Sequence, residues 1–339
     1  MRILKVVFIV LLLLIIVVAG LIYTAYKLDL PPQGNSEEMI FVINQGESFN
    51  EVTERLYKEG IIRSRTLLKI IGRIKGTDKA IKKGYYAIMP EYTTLQVHDL
   101  LVSGKEILNK LTIPEGWTSS QIALLLEQRG YATKDQVLRQ LQNRDFLIGF
   151  GITADSGEGY LFPDTYFFPE NYPIEKLLSH MITTFFLRLE EIKPDYKDLS
   201  PEEIHNRIIM ASIVEREYRI SAEASIIASV FYNRLSLRMP LQSCATVAYV
   251  ITEILGKPYP ERLFYRDLEV DSPYNTYKYS GLPAGPICNP SKTALEASFY
   301  PSETEYIYFV LQDLESGRHH FSRTLTEHSN AFSLFVKKR

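Results

Sequence analysis

A chain of 339 residues is long enough for two or three domains with cores of their own. Its 38 basic and 40 acidic side chains nearly cancel, to a formal charge of −2. That excludes a bulk polyanion-binding role and leaves no basic patch suited to nucleic acid.

After Met1, Arg2 and Lys5, residues Val6 to Tyr26 carry no charged side chain and are mostly Val, Leu and Ile. At ~1.5 Å rise per residue such a helix matches the ~30 Å hydrocarbon layer of a bilayer. A cleaved signal peptide has a shorter apolar region and a small-x-small cleavage site, whereas Leu21-Ile22-Tyr23 continues this run past Ala19-Gly20. Tyr23 and Tyr26 stand where interfacial aromatics belong, and no cysteine follows the run for lipid attachment. Arg2 and Lys5 orient residues 1–5 to the cytoplasm, with Lys27 weakening the contrast. The expectation is a single-pass transmembrane helix over 6–26, with everything from Lys27 onward outside.

Residues 27–38, which include Leu30-Pro31-Pro32-Gln33-Gly34-Asn35, read as a breaker-rich linker. Met39 to Ile43 reads as a strand. Ser48, with Glu51 three residues on, predicts a capping box at the start of an amphipathic helix with Val52 and Leu56 on its apolar face. A second helix is expected over about Arg65 to Lys75, then a short strand around Gly84 to Ile88 and a further helix closing near Lys105. This strand–helix–helix–strand order over 39–110 resembles the LysM modules that bind cell-wall glycan.

Residues 111–339 read as one mixed α+β domain. A strand ends at Ile113, a Pro-Glu-Gly turn follows, and Thr118 or Ser119 caps a helix. Lys134 to Leu147 is helical and polar. Ile174 to Leu189 and Pro201 to Tyr218 are longer helices, and Ser221 caps the next one. Tyr306 to Gln312 alternates like a strand leading into a hairpin.

Familiar catalytic patterns are missing: there is no His-Glu-x-x-His, phosphate-cradling glycine loop, Gly-x-Ser-x-Gly or Cys-x-x-Cys. His319 and His320 are adjacent on an expected strand, so they point to opposite faces and do not grip one ion. His328 reads as a residue that caps or hydrogen-bonds nearby. A membrane-anchored protease finds no nucleophile–base pair, which puts carboxylates first. Glu215, in Ala211-Ser212-Ile213-Val214-Glu215-Arg216-Glu217-Tyr218, ends an apolar helical run. Either the run simply meets solvent there, or an apolar site keeps a general acid protonated. Two residues of helix turn ~200°, so Glu215 and Glu217 cannot be a pair facing each other across one bond. Glu215 continues the stripe of Ile208, Ala211 and Ser212. Glu217 lies off that stripe and is expected to point elsewhere.

The segments 211–218, Ser229-Val230-Phe231-Tyr232-Asn233-Arg234-Leu235, 239–250, 272–290 and 294–310 follow Glu158-Gly159-Tyr160-Leu161-Phe162-Pro163-Asp164-Thr165-Tyr166 in fixed order. Together they closely resemble the YceG-like family from about Glu158 to Asn330. The resemblance implies an anchored, extracytoplasmic enzyme of the bacterial inner membrane. It would cut the β-1,4 bond between N-acetylmuramic acid and N-acetylglucosamine inside peptidoglycan strands, ending nascent strands beside the synthases as partners. It also implies a lysozyme-like helix with one essential glutamate, here mapped to Glu215, and 1,6-anhydro product ends. Neither metal nor organic cofactor is implied. Gln242, Ser243, Asn275 and Tyr277 become candidates for holding the sugar, though Asn275 also suits a plain turn and Tyr277 a core position. Glu158 and Asp164 are expected to organise their loop. The competing expectation is a non-catalytic wall-binding scaffold for synthases. One departure favours it: Cys244-Ala245 stands where the family usually has Asp-Pro. Cys288 is also unusual before Asn289-Pro290, and an oxidising compartment permits a Cys244–Cys288 bond without requiring it.

Overall fold

The computed structural model describes residues 2–32, 39–105, 109–169, 172–260 and 262–335. The protein is mixed α+β and divides into two compact units, Met1–Asn109 and Lys110–Arg339.

The first unit begins with α1 (Arg2–Asp29). Within it Phe8–Asp29 has mean hydropathy 3.0 and none of that stretch is buried, so it is long and apolar enough to cross a bilayer. Then come β1 (Met39–Ile43), α2 (Phe49–Lys58), α3 (Arg65–Lys75), β2 (Gly84–Ile88) and α4 (Thr94–Ser103). β1 and β2 pair antiparallel, from Met39 opposite Ile88 to Ile43 opposite Gly84. Ser48 and Glu51 form the expected capping box. Phe41, Val52, Leu56, Leu68, Tyr86, Val97 and Leu101 fill the core.

The end of α1 is tied to this unit. Asp29 Oδ1 accepts from Leu95 N at 2.8 Å, capping the start of α4, and Arg63 donates twice to Pro31 O, at 2.9 and 2.6 Å. The expected linker is therefore held down over its first part. Its remainder, 33–38, lies outside the described residues.

The second unit runs β3 (Asn109–Thr112), α5 (Ser119–Gln128), α6 (Lys134–Leu141), α7 (Arg144–Ile148), β4 (Thr165–Phe168), α8 (Ile174–Ile192), α9 (Pro201–Glu217) and α10 (Ala224–Ser236). It continues with α11 (Cys244–Tyr249), α12 (Lys292–Phe299), β5 (Tyr308–Leu311), β6 (His319–Ser322) and α13 (Leu325–Phe335). β3 pairs with β4, and β5 with β6 as an antiparallel hairpin.

α9 is the axis of this unit. Pro201 at its first turn and a Ser200–Glu203 capping box start it. α10, α11 and α12 pack on it, and all seven residues from Ile208 to Val214 are buried. A helix apolar on every side has no solvent face to alternate with. The stripe ending in Glu215 is thus one strip of a cylinder that is covered all round.

Gly159 marks how tightly α9 is wrapped. Its φ is +88°, and a Cβ there would lie 2.7 Å from Pro286 Cβ and 2.8 Å from Ile208 Cγ2. Backbone strain and a clash with two non-yielding groups add together. Gly159→Ala is expected to lower unfolding stability by about 2 kcal/mol or more, read as a reduced denaturant midpoint at unchanged slope.

Candidate active site

Because α9 is buried to its last turn, both of its terminal glutamates enter protein surroundings, on different sides of the helix. Burial pushes the Glu215 carboxyl up, against hydrogen bonds from Ser291 that favour the anion; Glu115 adds to the rise and Arg216 opposes it. Its Oε2 accepts from Ser291 N at 2.9 Å and Ser291 Oγ at 2.6 Å. Ser291 is the N-cap of α12, so Glu215 is spent on the start of that helix. The Pro114-Glu115-Gly116 turn closes over it, with Arg216 Nη1 donating to Gly116 O at 3.3 Å.

Glu217 does not point away into solvent, which corrects the facing expected from the stripe. Burial pushes its carboxyl up, with only the Ser243 hydrogen bond and the Arg216 charge opposing. Ser243 Oγ donates to Glu217 Oε1 at 2.5 Å. Glu217 lines a cavity of about 370 Å³ together with Arg234, Gln242, Ser243, Cys244, Tyr277, Tyr308 and His328, over an apolar floor that includes Phe231 and Phe309. Among the described residues lining that cavity, Glu217 is the one carboxylate.

Three of the four expected sugar-holding residues meet there. Ser243 is buried and diverted from its own helix: it is the N-cap of α11, yet its hydroxyl goes to Glu217. Gln242 is exposed and sits at φ +53°, a left-handed conformation costly for a residue with a Cβ. Tyr277 places its hydroxyl 3.0 Å from Cys244 Sγ. Asn275 is not among the lining residues. It is fully buried, its Nδ2 donates to Leu268 O and Val270 O at 2.8 Å each, and its Oδ1 accepts from Tyr277 N. With both donors consumed it shapes the loop that carries Tyr277.

A third buried carboxyl, Glu158, accepts from Ser119 N at 2.9 Å and Asn289 Nδ2 at 3.1 Å. Burial pushes its pKa up to about 8. Asp164 accepts from Thr165 N within its own loop and lies 3.7 Å from Arg188 on α8, so Glu158 ties its loop to remote segments while Asp164 bonds both locally and to α8. The cysteines are both free: Cys244 is exposed, whereas Cys288 is buried and donates to Ser212 O. They therefore form no compensating bond. His319 bonds Glu223 through Nδ1 at 2.8 Å, and His320 packs on Phe335. Arg234, Tyr308 and His328 were not singled out for the site by sequence, because they come together only when the C-terminal hairpin and α13 fold over α10.

A carboxyl pushed up by burial, bonded by one hydroxyl and bordering a polar-rimmed cavity, has the features that general acid–base chemistry requires. The YceG-like family profile matches residues 41–333. An endolytic murein transglycosylase of Bacillus subtilis is 31% identical over 343 residues, covering 96% of this chain and 92% of its own. A Streptococcus pneumoniae protein of the same name is 30% identical over 346 residues, covering 93% of this chain; this chain spans 62% of that relative's length. A solved YceG-like protein from Listeria monocytogenes aligns with a TM-score of 0.58 at 30% identity, over 87% of this chain and 99% of the other. The chain belongs to the YceG-like family.

Glu158 supplies a stability test. Its folded-state pKa, about 8, is raised above the ordinary 4.5, so its favourable contribution is complete below pH 4.5 and is lost as pH rises through 8. Glu158→Gln does not titrate. The stability difference between variant and parent should therefore move in the variant's favour by about 3–4 kcal/mol from pH 5 to pH 8.5, measured by denaturant melts.

Proposed function

We propose that this chain is a membrane-anchored lytic transglycosylase that cuts the N-acetylmuramic acid–β-1,4–N-acetylglucosamine bond within peptidoglycan strands, with Glu217 as its acid and base. The observation that carries the assignment is that Glu217 is the carboxyl lining the cavity, while Glu215 is absent from that lining and its Oε2 takes both Ser291 donors at the start of α12. The relatives' shared name supports the reaction class. The Ser243 bond occupies one Glu217 oxygen and leaves the other to deliver a proton to the leaving glycosidic oxygen. The resulting carboxylate then takes the proton of the muramic C6 hydroxyl, which attacks C1 and closes the 1,6-anhydro ring. An attacking group already within the substrate is held at high effective concentration. It makes a second catalytic carboxylate unnecessary, in keeping with the lone acid of the cavity; glycosidases that recruit water or a protein nucleophile use two. Gln242, Ser243 and Tyr277 would hold hydroxyl and acetamido groups around the bond.

Glu215, the sequence expectation, remains a second reading because burial raises its carboxyl as well. Paired amide variants separate the two. Glu217→Gln should lower cleavage of purified wall by at least ~100-fold with the thermal midpoint little changed. Glu215→Gln should lower stability through α12 and retain measurable cleavage. The opposite ranking would return the acid role to Glu215. Chain termini bear on the reaction itself: new anhydromuramic ends by mass spectrometry are expected, and borohydride-reducible muramic ends would instead mean hydrolysis. Intact strands with the unsubstituted chain would leave the non-catalytic scaffold.

The exposed apolar helix Phe8–Asp29, its end tied to the LysM-like unit, supports anchoring with that unit beside the membrane and able to bind glycan there. We take the outer domain to act on nascent strands near their synthases, ending polymerisation. Replacing residues 1–26 by a cleavable signal, at matched protein level, should lengthen nascent strands; unchanged lengths would reduce the anchor to retention alone.

A further inference from the structure

The cavity beside Glu217 receives two side chains from α13, His328 and Phe332, of which His328 is the polar one. Its ring stacks on Tyr308, with centroids 5.1 Å apart and planes 20° from parallel. Arg234 lies over the same tyrosine, 5.1 Å from its centroid. Several other polar groups facing the cavity have partners in the fold. Arg234 donates to Ile307 O and Leu241 O, Ser243 donates to Glu217, and the Tyr277 hydroxyl meets Cys244. His328 differs: its Nδ1 is buried and has no hydrogen-bond partner among the described residues.

Burial first, then Arg234 and His320, hold the ring below the ordinary histidine pKa, so it is the neutral imidazole with one N–H donor and one lone-pair acceptor. A buried polar atom is costly to leave unmatched, and native folds rarely do so without a ligand, a water or a catalytic reason. Here the unmatched ring borders the cavity that contains the acid. Stacking on Tyr308 also fixes the ring plane, so the direction in which its nitrogens point is set before anything binds.

We propose that His328 is a substrate-binding residue, exchanging a hydrogen bond through its ring nitrogen with a hydroxyl or acetamido group of the sugar held against Glu217. This rests on the glycan-cleaving reading above and adds a contact to it. The sugar chemistry fits a neutral imidazole, because a hydroxyl can both give and accept a proton and so satisfies either tautomer.

The test uses the full chain in detergent carrying Glu217→Gln, so that glycan binds without being cut. The probe is purified glycan of alternating N-acetylglucosamine and N-acetylmuramic acid, at concentrations that saturate binding. With histidines 15N-labelled, the His328 ring signals, assigned by their loss in His328→Gln, should shift on adding glycan. Those of His205, which bonds the Tyr160 hydroxyl, should stay in place. In the same background His328→Ala should weaken glycan binding roughly tenfold, and with Glu217 restored it should raise KM more than it lowers kcat. His328→Gln, which keeps a donor and an acceptor, should recover part of the affinity. Unmoved His328 signals at saturating glycan, or unchanged affinity in the alanine variant, overturn the proposal. The ring-signal measurement is made on a chain that keeps His328, so it holds even if the alanine variant fails to fold. Continued cleavage by Glu217→Gln would overturn the acid assignment, while the ring signals would still decide the His328 contact.

Discussion

The desolvation of the last turn of α9 is the constraint on which the site depends. Seven consecutive buried residues carry the chain to Glu215 without offering it a solvent face, and burial pushes the carboxyls of both Glu215 and Glu217 up, while Arg216 between them is exposed. A carboxylate there is penalised, and a carboxylic acid is favoured. The protein offsets that penalty differently on the two sides of the helix. At Glu215 two donors from Ser291 and the start of α12 support the charged form. At Glu217 one hydroxyl does so, and the remaining oxygen is left to the cavity. The same burial therefore yields one glutamate that builds structure and one suited to exchange a proton.

The wall of the cavity opposite that carboxyl is held by backbone rather than by packing. Gln242 in the left-handed region costs roughly 1 kcal/mol or more, and the loop keeps it there with bonds on either side. Gln242 N donates to Thr276 O and Ser243 N to Thr276 Oγ1, each at 3.1 Å, while Arg234 draws in Leu241 O at 2.8 Å. Thr246 Oγ1 stands 2.9 Å from Thr276 Oγ1, and Asn275 fixes the next residues of the same loop. Strain at a position that borders the candidate acid, maintained by a buried network, directs Ser243 at Glu217 with little freedom to swing away.

What could be read from sequence follows from how local each signal is. The Ser48–Glu51 start, the helix beginning at Pro201, the helix over Arg65 to Lys75 and the apolar span of α1 are set within a few residues, and they stand in the structure as the pattern predicts. The direction of Glu217 was not legible. A stripe argument assumes a helix half in water, whereas α9 is buried at every position from Ile208 to Val214, with α10, α11 and α12 packed on it. Asn275 was ambiguous for a similar reason. A turn-forming asparagine and a ligand-holding one have the same neighbours in sequence, and only the two carbonyls it meets tell them apart. Tyr308 and His328 reach the cavity through the C-terminal hairpin and α13 and meet Arg234 of α10 there, a long-range closure for which no local pattern exists.

Cys244 gains meaning once the cavity is seen. It occupies the first turn of α11 beside Tyr277, and the Glu217 charge contributes to raising its thiol pKa, after burial. The thiol is therefore neutral. An aspartate at this position, as the family usually has, would bring a second negative charge toward Glu217 and raise its pKa by like-charge repulsion. With a neutral thiol instead, burial alone pushes the Glu217 carboxyl up, against the opposing Ser243 bond and the Arg216 charge. The substitution thus removes one source of proton retention and leaves the acid itself in place. In the reaction proposed above the nucleophile belongs to the substrate and a lone carboxyl is what the chemistry requires, so on that reading the change at Cys244 tunes the site without abolishing its logic.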